Sequence, residues 1–233
     1  MEFSNNEKQI INTSQKIYDN FNDFIFSNDI KVFSKLVART VLFKQVIDIP
    51  GDIIECGVFK GSGMLTWLKL KQCLSPNAFK KVIGFDFFNT KELLSILNGT
   101  DRERMEDLFV SRNVSLDESY VTILKSIISN AGFDESTYEL IEGDISSTAF
   151  DYVRKRPGAK ISLLYLDLDL EKPTYDTLEA FWDILSIGGM VVFDEYAYHQ
   201  WSEARGADKF FTPRKIKILN LPYNAPTAYV TKD

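Results

Sequence analysis

The amino-acid sequence predicts an α/β protein with a doubly wound, mostly parallel sheet of seven strands, an antiparallel pair at the sheet edge and helices at the N-terminus. Three observations predict this fold. From residue 52 onward, apolar runs rich in β-branched residues alternate with helical patterns, which is the order of a parallel sheet. These runs are apolar through most of their length, as expected when helices cover both faces. The last segment, "RKIKILNLPYNAPTAYV", is typical of two strands joined by a turn.

Two helices are predicted before the first strand. The first has apolar residues at spacings of seven, four and three: Ile10, Ile17, Phe21 and Phe24. The second ends at "DIPGD", where proline and glycine break it. We therefore predict a helical extension over residues 1–49 and a main domain over residues 50–233. The apolar stripes need a partner, which could be a second copy in a homodimer, a neighbouring active site or the sheet itself.

The strands of the main domain follow in order. They are "DIIECGV", "VIGFDFF", "YELIEGDI", "ISLLYLDLDL" and "GGMVVFDEY", and helical patterns lie between them at residues 61–73, 119–131 and 173–185. Residues 89–117 are polar, contain "DRERMED" and fit no core element. Because a segment of this length is unusual within a compact domain, we predict an inserted lid or a helix outside the sheet there.

Composition excludes several classes of function. The chain has 233 residues, of which 45% are hydrophobic and 26% charged, as in one globular domain. A net charge of -6 argues against nucleic-acid binding and favours a small-molecule partner. Cys56 and Cys73 form no CxxC pair, which indicates a reducing compartment and no zinc site. No basic-then-apolar start or long apolar run is present, so we expect a cytoplasmic protein without a membrane span.

The first strand ends in a glycine-containing loop, "ECGVFKGSG". Gly57 allows the backbone to approach a ligand, and the helix that begins near Ser62 offers free N–H groups to an anion. The spacing of Gly57 and Gly61 differs from GxGxxG, so a ligand with a carboxylate is favoured over a dinucleotide. A tight structural turn remains the alternative.

Acids follow the next two strands. Asp86 ends the second strand, where it could accept the hydroxyls of a ribose or cap the segment that follows. Asp144, in "EGDI", could reach an adenine amino group or cap the turn that begins at "SST". Together with the glycine loop, these acids indicate a nucleoside and its tail lying across the sheet.

The fourth strand ends in carboxylates spaced two apart, at Asp167, Asp169 and Glu171. Because burial of a charged carboxylate is costly, such a pattern needs a reason. It indicates either a polar exit from the sheet or a site that requires oxygen ligands, and the strand alone leaves both open.

The motifs taken together resemble a known family. "PGDIIECGVFKGSG", "GFDFF", "EGDI", "LLYLDLDLEKPTYDTLEAFWDILSIGGMVVFDEY" and "ARGADKFF" are similar to the macrocin O-methyltransferase family over residues 50–211. The resemblance implies a class I, Rossmann-like fold and methylation of sugar hydroxyls with S-adenosylmethionine. The methionine end of this cofactor would then lie on a set of loop residues: Glu55, Gly57, Val58, Lys60, Gly61 and Ser62. Asp86 would bind the ribose, Asp144 the adenine side, and Asp167 would lie beside the cofactor.

The resemblance also implies a metal site. Its ligands would be Asp167, Asp194 and Glu195, and an oxygen-only set suits Mg²⁺ better than zinc. Adjacent parallel strands end side by side, so we expect the three carboxylates to converge. His199, together with Asp167, is implied as catalytic because an imidazole titrates near working pH. The family usually has two aspartates where this chain has Asp194 and Glu195.

Three alternative functions are weighed against a sugar O-methyltransferase. A catechol-type or caffeoyl-type phenol O-methyltransferase shares the sheet, cofactor and metal, but the charged insert does not favour a planar apolar acceptor. An NAD-dependent oxidoreductase would carry GxGxxG, which this loop lacks. A non-catalytic nucleoside-binding module would have no reason for three acids on adjacent strand ends.

Overall fold

The computed structural model describes residues 4–114 and 119–233, in which seven strands form one sheet. The strands are β1 (Asp52–Cys56), β2 (Val82–Asp86), β3 (Tyr138–Glu142), β4 (Ile161–Leu166), β5 (Leu185–Phe193), β6 (Leu219–Asn220) and β7 (Ala228–Thr231). The helices are α1 (Asn5–Phe26), α2 (Ile30–Val46), α3 (Ser62–Leu74), α4 (Thr90–Ile96), α5 (Gly99–Ser111), α6 (Val121–Asn130), α7 (Ile145–Lys155), α8 (Glu171–Phe181) and α9 (Glu203–Phe211).

The sheet has the predicted topology. Its order is β3-β2-β1-β4-β5-β7-β6, with β1 to β5 parallel and β7 antiparallel to both β5 and β6. The strand order reverses between β1 and β4, which are neighbours in space. In an open α/β sheet, ligands bind outside the carboxyl ends of the strands at this switch point. The fold therefore positions a site where β1, β4 and β5 end.

The core has two layers, one on each face of the sheet. On one face, α7, α8 and α9 pack over alternate strand residues such as Leu164 and Leu166. On the other face, α2, α3 and α6 pack over Leu163 and Tyr165. This two-sided cover explains why β4 is buried at every position.

Some helices differ from the sequence prediction. The predicted helix over residues 173–185 ends at Phe181, and a short 3-10 turn (Trp182–Ile184) leads directly into β5. The sequence analysis placed no helix at α7 or at α9. The predicted insert contains α4 and α5, which pack against Leu170 and Trp201. Residues 115–117 of that insert lie outside the described residues, and its role as a lid stays a prediction.

The two N-terminal helices are present as predicted. The second half of α2 is buried against the sheet through residues such as Leu42 and Phe43. Apolar side chains of α1 and of the first half of α2 are exposed, including Ile17, Phe21 and Ile30. Among residues 4–114 and 119–233, no helix combines the length and apolar character needed to cross a membrane.

Candidate active site

The glycine loop after β1 has a backbone that requires glycine. Gly57 has φ 87°, and a Cβ atom there would lie 1.9 Å from the carbonyl oxygen of Asp167. Its N–H donates to the carbonyl oxygen of Phe85 at 2.9 Å, which fixes the loop to β2. Gly61 has φ 88°, and its Cβ atom would meet the side chain of Leu124 at 2.2 Å. The loop therefore passes close to β4 and α6 and reaches α3 without a side-chain cap.

Glu55 lies beneath this loop and is almost completely buried. Its Oε1 accepts a hydrogen bond from Nη2 of Arg39 at 3.1 Å, and it packs so closely on Gly63 that a Cβ atom there would lie 1.8 Å away. Burial raises the pKa of Glu55 to about 7, although Arg39 opposes the rise. Its Oε2 has no hydrogen-bond partner among the described residues. Glu55 is thus held at the start of α3 with one free oxygen.

Asp86 organises the loop from the end of β2. Its Oδ2 accepts from the N–H of Phe59 at 2.8 Å, and its Oδ1 accepts from the N–H of Phe88 at 2.9 Å. Burial raises the pKa of Asp86, and the hydrogen bonds from the backbone oppose that rise. The backbone N–H groups of Val58 and Phe87 act on this carboxylate in the same way, and a ribose contact by Asp86 stays a prediction.

The other predicted cofactor residues have different surroundings. Val58 is buried, Ser62 is exposed in the first turn of α3, and Nζ of Lys60 donates to the carbonyl oxygen of Arg112 at 2.9 Å. Asp144 caps α7 by accepting from the N–H of Ser146 at 2.9 Å. This cap is one of the two roles that the sequence left open, and an adenine contact by Asp144 stays a prediction.

Asp167 and Asp194 lie side by side because β1, β4 and β5 are adjacent. The N–H of Asp167 donates to the carbonyl oxygen of Cys56, and the N–H of Asp194 donates to that of Leu166, both at 2.9 Å. These bonds continue the parallel ladder beyond the strands. Asp194 is fully buried, whereas about a quarter of the Asp167 side chain is exposed.

Lysines of α2 contact all three predicted metal ligands. Nζ of Lys35 lies 2.7 Å from Oδ2 of Asp194 and 3.7 Å from Oδ2 of Asp167. Nζ of Lys31 lies 3.1 Å from Oε1 of Glu195. Burial would lower the pKa of Lys35, but attraction to Asp167 and Asp194 outweighs it, so that pKa is raised. The ammonium groups thus occupy the side of the carboxylates that faces α2.

The environment of Asp167 suits proton transfer near neutral pH. Burial and the neighbouring charge of Asp194 raise the pKa of Asp167 to about 7, against the opposing effects of Lys35 and Arg39. The second oxygen of Asp194, Oδ1, accepts a hydrogen bond from the hydroxyl of Tyr165. Burial raises the pKa of Tyr165 well above its usual range, so this tyrosine stays a donor.

Glu203 is a site residue that the sequence analysis missed. It is fully buried, its Oε2 accepts from the N–H of Glu195 at 3.0 Å, and its Oε1 has no partner in the described parts of the chain. Burial, together with Asp169, raises its pKa well above the usual range. The signal was present, since the buried residues of α9 recur at spacings of three and one: Glu203, Gly206, Ala207, Phe210 and Phe211. An acid on this apolar stripe marks a buried carboxyl.

The α2 cations were missed as well. Lys31, Lys35 and Arg39 recur at a spacing of four on a predicted helix, which places them on one face. This charge pattern is visible in the sequence and indicates a cationic face on α2.

His199 lies in an exposed turn after β5. Its ring centroid is 5.4 Å from that of Tyr198, and Nζ of Lys31 lies 5.6 Å from the centroid of the same tyrosine. Trp201, two residues further on, packs against α4 and α5 instead of standing free. The position of His199 near the end of β5 is compatible with the predicted catalytic role, which stays a prediction.

The carboxylates of Asp167, Asp194 and Glu195 are chemically suited to a hard divalent cation, but their present arrangement does not form a metal site. All candidate donors are carboxylate oxygens, and Oε2 of Glu195 is buried without a partner in the described structure. However, no three His, Cys, Asp or Glu side chains within residues 4–114 and 119–233 are arranged to hold a metal ion. The metal site at Asp167, Asp194 and Glu195 therefore stays a prediction, and in the structure the first two acids contact Lys35 and the third contacts Lys31.

The fold and this site define a class. A doubly wound sheet in the order observed, with a glycine loop after β1 and acids at the ends of β2, β4 and β5, is the architecture of the class I methyltransferases. The macrocin-O-methyltransferase (TylF) family matches residues 30–219, and the chain belongs to this family. The matched region includes every acid and α2 cation described above.

Relatives of known identity agree with this assignment. The chain is 26% identical over 153 residues to the 8-demethyl-8-(2,3-dimethoxy-alpha-L-rhamnosyl)-tetracenomycin-C 4'-O-methyltransferase of Streptomyces olivaceus. That match covers 64% of this chain and spans about half (54%) of the relative. The calicheamicin methyltransferase CalS11 aligns with a TM-score of 0.71 and 25% identity, over 99% of this chain and 94% of that one. The O-methyltransferase NovP has the same fold at 19% identity, with a TM-score of 0.69 over 85% of this chain and 79% of that one.

Proposed function

We propose that this protein transfers the methyl group of S-adenosylmethionine to a hydroxyl of a sugar or of a sugar-containing natural product. The observation that carries this proposal is the family match over residues 30–219, which includes all strand-end acids of the site. The name of the Streptomyces olivaceus relative, a rhamnosyl 4'-O-methyltransferase, supports a deoxysugar as the acceptor. The net charge of -6 also favours a small-molecule acceptor over a nucleic acid.

The cofactor is proposed to lie across the carboxyl ends of β2, β1 and β4. Free N–H groups at the start of α3 suit its carboxylate, since Gly61 provides no side-chain cap. Asp86, at the end of β2, would accept the ribose hydroxyls. The unpartnered Oε2 of Glu55 would accept from the ammonium group of the methionine end. When bound, the cofactor supplies an electrophilic methyl group on a sulfonium.

The residues of the chain would place the acceptor and take its proton. The acceptor oxygen would take the methyl group, and the electron pair of the broken carbon–sulfur bond would stay on sulfur. The hydroxyl proton passes to a carboxylate or imidazole of the site. Asp167 suits this role because its pKa is raised to about 7, and His199 is the second proposed acceptor. Positioning of the two reactants supplies much of the remaining acceleration.

We include Mg²⁺ at Asp167, Asp194 and Glu195 in the proposal. A hard cation on these oxygens would lower the proton affinity of a nearby hydroxyl. Since Lys35 and Lys31 contact the same carboxylates, the ion would have to replace ammonium groups.

A homodimer is also proposed, formed through the exposed apolar face of α1 and α2. Phe24 and Phe33 stack with a centroid distance of 6.2 Å, so the apolar residues of the two helices form one continuous surface. A second copy related by a two-fold axis would present the same surface and cover it. We expect sedimentation equilibrium to report a dimer for wild type and a monomer for Phe21→Glu. Phe79→Glu, which changes a fully exposed phenylalanine outside these helices, should remain dimeric, and a wild-type monomer would refute the interface.

Methyl transfer from labelled S-adenosylmethionine to rhamnose-bearing acceptors tests the function. We expect transfer by wild type and by Asp151→Asn, an exposed control on α7. Asp167→Asn should lower kcat by about a hundredfold or more with little change in KM, because a general base contributes in this range. No transfer to any sugar hydroxyl, with transfer to catechols instead, would replace the sugar assignment by the phenol one.

A further inference from the structure

One face of α2 carries three cations that pair with four acids in or just after three adjacent strands. Lys31, Lys35 and Arg39 form this cationic stripe, with a spacing of four residues. Lys31 pairs with Glu195 after β5, Lys35 with Asp194 and Asp167, and Arg39 with Glu55 in β1. Four residues of helix rise about 6 Å, which is close to the strand spacing of about 4.8 Å. The helix therefore runs across the ends of β5, β4 and β1, and Lys35 contacts acids that follow two of these strands.

Lys35 has the most central place in this stripe. Its ammonium group lies between two carboxylates from different strands, with Asp194 fully buried and bound on its other oxygen by Tyr165. The hydrogen bond from Nζ of Lys35 uses Oδ2 of Asp194 and that from Tyr165 uses Oδ1, so both oxygens of this carboxylate have a partner from the chain. The absence of a three-carboxylate arrangement in the described residues follows from this, because the acids are oriented toward ammonium groups.

We propose that Lys35 is the protein's own occupant of the cation position and that a divalent cation and the Lys35 ammonium exclude each other at Asp194 and Asp167. This inference rests on the proposed function only in taking over the divalent cation proposed there. The site between Asp194 and Asp167 is occupied either by the Lys35 ammonium, with one positive charge, or by a divalent cation from solution, with two. Entry of the ion requires Lys35 to leave, and the first half of α2 moves with it.

The anchoring of α2 explains why only its first half would move. Beyond Lys35, the helix is held by the buried Arg39 and by Leu42, Phe43 and Val46. Before it, Ile30, Val32 and Phe33 are exposed, and Lys31 is nearly half exposed. The Lys31–Glu195 pair is exposed on its lysine side, whereas Lys35 contacts the fully buried Asp194. The Lys35 contact is therefore the main attachment of residues 30–37 to the strand ends. Loss of this contact releases that segment while residues 39–46 stay in the core.

Binding of Mn²⁺ to the full chain tests the exclusion. Titration followed by electron paramagnetic resonance of free Mn²⁺ should give a dissociation constant at least about tenfold lower for Lys35→Met than for wild type. Lys44→Met is the matched control, since Lys44 is exposed in the last turn of α2, about 13 Å further along the helix axis. It should bind Mn²⁺ like wild type. Equal affinities of wild type and Lys35→Met, or no binding by either, would overturn the proposal.

Two further measurements distinguish the exclusion of the cation by Lys35 from a folding defect in Lys35→Met. Lys35→Arg keeps the positive charge and should bind Mn²⁺ as weakly as wild type, so a gain in this variant would count against exclusion. In wild type, saturating Mn²⁺ should accelerate amide hydrogen exchange in residues 30–37 and leave residues 39–46 unchanged. Unchanged exchange in residues 30–37 would also refute the proposal. Binding of S-adenosylhomocysteine without metal reports separately on the proposed function, so the two failures are distinguishable.

Discussion

At the scale of the residue, the site depends on a glycine that leaves no room for an added methyl group. Gly57 combines a left-handed backbone with a contact to Asp167 that leaves no space for a methyl group. Gly132 has the same φ of 87° but no atom near its added Cβ. Alanine substitutions at Gly57 and Gly132 therefore separate two costs in the free energy of unfolding. One is the cost of a left-handed backbone, and the other is the cost of the close contact with Asp167.

We predict that Gly132→Ala lowers the free energy of unfolding by about 1 kcal/mol, the cost of a left-handed alanine. Gly57→Ala should lower it by at least about 2 kcal/mol more, since the methyl group would push apart β1 and β4. Urea denaturation of both variants measures the difference. Equal losses would mean that the loop relaxes freely and does not hold Asp167 in place.

The buried carboxyl of Glu55 predicts a pH dependence of stability. Its pKa is raised from 4.5 to about 7 in the folded state, so the unfolded chain loses this proton first as the pH rises. The stabilisation is complete below pH 4.5 and is lost as the pH approaches 7. Relative to Glu55→Gln, wild type should lose up to about 3 kcal/mol of unfolding free energy across this window.

Urea denaturation between pH 4.5 and 7.5 measures this loss. Glu103→Gln, at an exposed position of α5, is the control and should follow wild type at every pH. If the curve of Glu55→Gln also runs parallel to that of wild type, Glu55 is ionised in the fold and its pairing with Arg39 dominates burial.

At the scale of the element, α9 connects the core to the site. Its first residue is the buried Glu203, whose side chain holds the backbone of Glu195. Its last residues, Phe210 and Phe211, pack in an aromatic cluster with Trp182 and Phe193. The position of the acid pair after β5 therefore depends on packing at the far end of the helix.

We predict that Phe211→Ala lowers the free energy of unfolding by about 3–5 kcal/mol, because a buried ring leaves a cavity. Phe79→Ala, at a fully exposed ring, should change it by less than about 0.5 kcal/mol. Chemical denaturation of both proteins measures the two values. A loss below about 1 kcal/mol for Phe211→Ala would show that α9 is not fixed by this cluster.

At the scale of the whole molecule, cofactor binding should appear as global stabilisation. A ligand at a hundred times its dissociation constant adds about 2.7 kcal/mol to the free energy of unfolding. We expect this gain for wild type with S-adenosylhomocysteine, and a much smaller gain for Asp86→Asn at the same concentration, measured by urea denaturation. Asp151→Asn should gain as much as wild type. Stabilisation by NAD in place of S-adenosylhomocysteine would overturn the cofactor assignment.

The sequence by itself determined the sheet, its parallel order, the antiparallel edge and the acids that follow β2, β4 and β5. These features are local, because an apolar run, a glycine or a terminal acid is visible in a few consecutive residues. The family resemblance that these motifs carried is confirmed by the match over residues 30–219.

Only the tertiary structure decided which charges meet. Lys35 and Asp194 are 159 residues apart, and no local pattern brings them within hydrogen-bond distance. The burial of Glu203 and the raised pKa values of Glu55 and Asp167 likewise arise from side chains that other elements supply. Electrostatic interactions depend on distance and burial in space, so the chain had to fold before α2 and the strand ends could form one site.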